Sequence, residues 1–276
     1  MRCALFFETV AVLQFWLSGL RAGLRGKSIH SVLLMGLFLI FVAYLSGSFS
    51  PRHPRTVALD IGLSGVRITL VLLNLFWIQE LLAKEIDRKS VLFSLTYPVS
   101  RQSYLIGRYL SVLTMSALAT AVFGLALVIA VALSGGAYQQ EFPVGLGVPL
   151  VATLAGQFVD VSVVAAFALL VSTASSMAVM SVGAGLAFAV AGKALGATID
   201  YLAAGADNDQ ELVATYAPVI DVIRWLLPDL SRLDWRTWPL YGALPEAVTA
   251  SLAMAGAYAT IMLALASWTI RRREFS

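Results

Sequence analysis

Few side chains in this sequence could do chemistry, and fewer stand where they could do it together. Gly26-Lys27-Ser28 has the ending of a phosphate-binding loop. Such a loop needs a glycine five residues earlier so that its backbone amides can wrap the phosphates, and it follows a strand. Position 21 is Arg21 in an apolar, helix-patterned stretch, so this route to nucleotide binding is excluded. Cys3, His30 and His53 are too few and too scattered for a structural zinc site, and the single cysteine rules out an internal disulfide. No nucleophile with a neighbouring base stands out. What remains is Asp160, with Gln157 one helical turn before it, in the middle of a long apolar run. An ionisable residue in such a run is a functional candidate by default. Contact with Arg67 or Asn74 would make it structural; an exposed carboxylate would make it a cargo site. Arg67 and Lys193, nearer the ends of their own runs, are expected to snorkel toward water.

The elements that position these residues follow from composition. Of 276 residues, 59% are hydrophobic and 13% charged, against about a quarter charged in soluble domains. The sequence reads as an all-α polytopic membrane protein, one transmembrane domain over 1–276. Its net charge of +3 is explained by Lys and Arg beside the membrane, with no call for a nucleic-acid partner. Six apolar segments can each cross about 30 Å of hydrocarbon at roughly 1.5 Å per residue: Ser31–Phe49, Ile61–Glu80, Leu105–Leu133, Val148–Val171, Met177–Thr198 and Ala247–Ile270. Before them, residues 1–30 carry Glu8, Gln14, Ser18, Arg21 and Arg25 on one arc of a helix, with Leu5, Val12, Trp16 and Leu20 off it. That pattern predicts an interfacial helix, with a short extra span as the alternative, and no cleavage pattern of a removable signal peptide accompanies it.

Orientation comes from the basic residues. Arg2, Arg21, Arg25, Lys27, the loop 84–108 and the tail Arg271–Arg273 share twelve Lys and Arg. The other side has five: Arg52, Arg55, Arg224, Arg232 and Arg236. Both termini and the 84–108 loop are therefore expected in the cytoplasm of a cell, the chain lying in its cytoplasmic (inner) membrane. The outer connection 199–246 is acidic, holds Trp225, Trp235 and Trp238, and is too long for a passive linker. It is expected to form an external cap, with a short helix over Leu212–Leu227.

The loop itself, KEIDRKSVLFSLTYPVSRQSYLIGR from Lys84 to Arg108, mixes five basic residues with Val91, Leu92, Phe93, Leu95 and Tyr97. A solvated connector has no need of those apolar side chains; a docking segment does. Glu85 and Asp87, then Leu92, Phe93 and Leu95, then Pro98-Val99-Ser100-Arg101, then Gly107-Arg108 resemble the loop between the second and third spans of ABC-2-type permeases, the membrane subunits of ABC exporters. Lys89-Ser90 stands where that family usually has Gly-Thr, and Arg108 replaces a lysine. Weaker resemblance extends to Arg21–Lys27, to Leu227-Pro228-Asp229-Leu230 with Leu233-Asp234, and to Trp268–Phe275.

The resemblance implies an ATP-driven exporter subunit with six spans, an interfacial helix, a cytoplasmic coupling helix and a cap. It implies no cofactor in this chain, ATP and Mg²⁺ on a separate ATPase present in two copies, a second permease copy (identical or not), and room for an extracytoplasmic accessory protein. Physically, a helix over Ser90–Thr96, ended by the backbone restriction before Pro98, would present Leu92, Phe93 and Leu95 to a groove in the ATPase. Arg88, Lys89 and Arg101 would ring the contact, while Glu85, Asp87 and Arg108 join it to the spans. The alternative is a secondary transporter or channel, which needs denser intramembrane charge than one central Asp160.

Overall fold

The computed structural model describes residues 2–87, 100–134, 143–175, 177–203, 218, 228–245 and 247–272. Arg88, Leu92, Phe93, Leu95 and Pro98 of the predicted coupling segment lie outside the described residues, as does most of the expected Leu212–Leu227 helix.

Among the described residues the chain is helical, without strands. The helices are α1 (Arg2–Gly23), α2 (Lys27–Ser48), α3 (Pro54–Ile78), α4 (Lys84–Asp87), α5 (Arg101–Leu133), α6 (Val148–Ala174), α7 (Met180–Ala203), α8 (Thr237–Tyr241) and α9 (Val248–Arg272). A π-turn, Gln79–Ala83, joins α3 to α4 without breaking the rod, and a 3₁₀ turn, Leu230–Leu233, precedes α8. Five rods are long and apolar enough to cross a membrane: Ile29–Ser48, Pro54–Ile86, Arg101–Leu133, Val148–Ala174 and Val248–Arg272. Met180–Gly196 is a shorter apolar helix. The chain is a polytopic all-α membrane protein, as its composition predicts.

Local chemistry sets the ends. Pro54 opens α3 at the first turn, where its missing N–H costs nothing. Ser100 caps α5, its hydroxyl accepting the Ser103 N–H at 3.1 Å. Gly242, at φ 72°, ends α8 in the left-handed conformation that a side chain would resist.

Helix α3 is the axis of the bundle. It packs against α2, α5, α6 and α7, and Leu59, Leu63, Leu70, Leu73 and Leu75 along it are fully buried. Helix α9 lies on α6 and α5. Facing outward, Leu34, Phe38 and Phe41 of α2, Leu118, Val122 and Leu125 of α5, and Ile261 and Leu265 of α9 are exposed. In water such a surface would aggregate; in hydrocarbon it is solvated, and cohesion must come from close packing instead.

Helix α1 shows how close. It lies along α5, with Phe15 edge-on to Tyr104 at 5.2 Å and Trp16 Nε1 donating to Thr114 Oγ1 at 2.9 Å. Gln14, Ser18 and Arg21 stay exposed beside exposed Leu13 and Leu17. The approach depends on Gly107: a Cβ there would stand 2.7 Å from Phe15 Cβ and 2.9 Å from the Val12 carbonyl oxygen. Replacing Gly107 by Leu therefore should push α1 off α5, costing about 1–3 kcal/mol and lowering the Tm in detergent. Gly183, with open space around it, is the control: Gly183→Ala should leave the Tm within the scatter of repeat melts.

Candidate functional site

Two polar clusters interrupt the apolar bundle. One lies at the end where α4 leaves and α5 begins; the other runs from mid-bundle to the opposite end, under residues 228–241.

At the first end, Glu85 faces two partners on α5. Its Oε1 accepts from Arg108 Nη2 at 2.6 Å, and its Oε2 from the Tyr104 hydroxyl at 2.5 Å. The Arg108 guanidinium also lies 5.4 Å from the centre of the Tyr104 ring, a cation over an aromatic face. Arg108 is 6% exposed, and its Nε and Nη1 have no partner. The two predicted boundary residues of the loop, Glu85 and Arg108, are thus brought into direct contact. No spacing rule pairs them; their contact follows from α3 and α5 packing side by side.

Arg101 stands at the other foot of the same loop. Its Nη1 donates to the Ile270 and Arg271 carbonyls at 3.0 and 3.3 Å, capping the C-terminal end of α9, where the helix dipole favours a cation. Asp87 is the last residue of α4. The described feet of the loop are therefore tied to α1, α5 and the last span at once.

In the bundle, Asp160 of α6 accepts from Arg67 Nε at 2.6 Å, and both side chains are largely buried. Arg67 Nη2 also reaches the Ala189 carbonyl of α7 at 3.5 Å. Gln157 donates to the Leu63 carbonyl at 3.1 Å. Asp160, Gln157 and Arg67 therefore come together, stitching α3, α6 and α7. Asn74 is not part of this set: it donates to Ser116 Oγ of α5 at 2.9 Å.

The expectation that Arg67 and Lys193 snorkel fails for both. An acid stands within reach of each inside the bundle, and a buried pair costs less than a cation drawn alone through hydrocarbon. Lys193 Nζ donates to Asp234 Oδ2. Asp234 also accepts from Arg236 Nε, at 3.0 and 2.9 Å to its two oxygens. Arg236 Nη1 in turn reaches Asp60 Oδ1 at 3.1 Å and Ser64 Oγ at 3.0 Å on α3. Alternating charges thus bind the segment 228–241 to α3 and α7. Its backbone seats in places cleared of side chains: a Cβ on Gly192 would lie 2.8 Å from Leu230 Cδ1, and one on Gly196 would overlap Ser231. Thr153 of α6 donates to the Trp235 carbonyl at 3.0 Å. The Gly192/Gly196 pair, one helical turn apart, receives this segment.

Burial by itself would push the Asp234 carboxyl up, but the hydrogen bonds from Arg236 and Lys193 outweigh it and hold the group below its usual range. For Arg236, burial disfavours the charge, and the bonds to Asp234 and Asp60 reverse that, raising it. Asp234, Lys193, Asp60, Tyr104 and the Glu85–Arg108 contact were not recoverable as pairs from sequence. The one available signal was a lysine near the end of an otherwise apolar helix.

Comparison with known proteins supplies the context. Residues 27–196, well over half of the chain, match the model of a family described as ABC-2 family transporter protein. No curated protein matches the chain.

Two predictions follow from the charges. Asp160→Ala leaves Arg67 buried without its counter-ion, which should cost roughly 3–5 kcal/mol and sharply reduce Tm in detergent. Arg67→Met with Asp160→Leu should recover most of the loss. The second concerns acid. A carboxyl held low in the folded state stabilises fully above its unfolded value, about pH 4, and that stability is lost as pH falls through the folded value. The segment 228–241 should therefore resist pepsin at pH 5 and be cut progressively below about pH 4. Asp234→Asn should be cut at both.

Proposed function

From the chain's membership of the ABC-2 family of transporter proteins, as a membrane permease of an ABC transporter, we propose that it is the membrane subunit of an ATP-driven exporter whose ATP-binding subunits are separate chains. The observation that carries this reading is the family match itself, because residues 27–196 take in α2, the axial helix α3, the loop 84–108, α5, α6 and most of α7.

In this reading the loop is the point of attachment. Leu92, Phe93 and Leu95 anchor it in a groove of the ATPase, and Arg88, Lys89 and Arg101 border the contact. A few apolar anchors supply affinity while the charged rim sets register. Two ATPase copies bind ATP with Mg²⁺, close on one another and displace the loop. Two permease copies face each other across the transport path. Both chain termini and the loop then lie on the cytoplasmic side of the cell membrane, as the excess of Lys and Arg there requires, and the segment under Asp234 faces outward, where an accessory protein could meet it. Nucleotide binding shifts the population between two packings of the spans, which moves cargo.

The ties of the loop's feet support this. Displacement of residues near Glu85 or Arg101 is felt directly by α5 and by the end of α9. Asp160 is a structural residue in this scheme, since Arg67 already occupies it.

The test is co-purification. The tagged chain, expressed with its candidate ATPase, should retain it through size exclusion and support ATP-dependent transport. Phe93→Asp, which places a charge in the proposed groove contact, should lower both at least tenfold. Retention of both by Phe93→Asp would remove the coupling assignment, and transport that persists without any ATPase would favour a secondary transporter or channel.

A further inference from the structure

We propose that the π-turn Gln79–Ala83 and the Glu85–Arg108 ion pair form a two-position register switch, in which relaxation of the turn to α-helical geometry swings Glu85 off Arg108 when nucleotide acts on the loop. This rests on the reading that residues 88–99 attach to an ATPase, and names the residues that transmit the movement.

Geometry comes first. A π-turn holds an extra residue within a helix, and such turns are rare and concentrated at functional positions. If it relaxes, every residue beyond it rotates by about 100°, one position of a helix with 3.6 residues per turn. Beyond it, among the described residues, are the four of α4. The turn itself packs on α1, α6 and α7, while the contacts of α3 with α2, α5, α6 and α7 lie before it, so the body of α3 can stay in place. Glu85, aimed at Arg108 and Tyr104 in the present register, would leave both. Ile86, 4% exposed, would leave the core.

Energetics hold the resting position. A buried ion pair is weak evidence for stability, and its best-attested role is to fix a register. Among the described residues the Arg108 nitrogens Nε and Nη1 are buried without acceptors. Removing Glu85 would take away a carboxylate partner as well, so the present register is the resting one and exchange needs the work of nucleotide binding. Opposing the exchange, Lys84 Nζ reaches Glu80 Oε1 at 2.5 Å, joining the π-turn to α4.

Position connects the switch to function. Glu85 and Arg108 stand at the two ends of the loop 84–108. Arg108 reaches further through the Tyr104 ring to Phe15 of α1. Breaking the pair therefore frees α4 from α5 and loosens the support of α1. Glu85 and Arg108 act as positioning residues for coupling.

The experiment follows maleimide labelling of Ile86→Cys in a Cys3→Ser background, Cys3 being the native cysteine, in lipid nanodiscs. In the permease without its ATPase, labelling should be at least tenfold slower than at Arg25→Cys, an exposed reference. In the purified permease–ATPase complex, a non-hydrolysable ATP analogue should raise the Ile86→Cys rate at least tenfold. Adding Arg108→Gln should give the fast rate without nucleotide. Fast labelling of the isolated permease overturns the switch. So does slow labelling, with and without nucleotide, in a complex that hydrolyses ATP; the permease reading then stands alone. If no ATPase co-purifies, the underlying reading fails and takes the switch with it.

Discussion

Hydrocarbon offers no hydrogen-bond partner and no screening, so each charge taken into the bundle must find its counter-charge there. That constraint explains more of this structure than packing preference does. Asp160 and Arg67 meet at 2.6 Å, from helices more than ninety residues apart in sequence. Lys193, on a helix otherwise fit to face lipid, is held by Asp234. Each pairing fixes which face of its helix points inward, and the apolar surface left over faces outward. Leu34, Phe38, Leu125 and Ile261 can be exposed because the polar residues are not.

The same constraint divides the molecule into two ends with different characters. Near Asp234 the charges alternate and are closely matched: Lys193, Asp234, Arg236 and Asp60 each have a partner of opposite sign. The backbone of 228–241 fits over Gly156, Gly192 and Gly196. This is a closed arrangement. Near Glu85 the matching is partial, with Arg108 only half satisfied and the helix entering through a π-turn. The two clusters thus differ in how completely their charges are matched. In neither place does a net gain in stability account for the ions, since buried pairs seldom exceed what well-packed apolar residues would give. Their value is in specifying arrangement.

Much of this was legible beforehand. Long apolar runs foretold the rods, because a helix in lipid must satisfy its own backbone, but of the six expected spans five are long and apolar enough to cross among the described residues, and Met180–Gly196 is shorter. The second rod runs from Pro54 to Ile86 rather than from Ile61 to Glu80, opened by Pro54 and prolonged through the π-turn. Asp160 stood out as the intramembrane ion, and Arg67 was one of two partners that could be named for it. Lys193 misled, since it was expected to seek water. That expectation treated a helix in isolation, and what answers it is the segment 228–241, whose Asp234 meets Lys193 from 41 residues downstream.

By itself, then, the sequence determined what depends on composition and near neighbours: a polytopic helical chain, the apolar runs that become its rods, and the mismatch of Gly26-Lys27-Ser28 to a phosphate-binding loop. Only the tertiary structure decided which charges pair. Glu85 and Arg108 are twenty-three residues apart, separated by a loop that imposes no register on them. Their contact exists because α3 and α5 pack side by side and because one extra residue in the π-turn rotates Glu85 toward α5. Partner choice between helices is set by relative rotation and depth, and those are properties of the packed bundle that no single stretch of chain encodes.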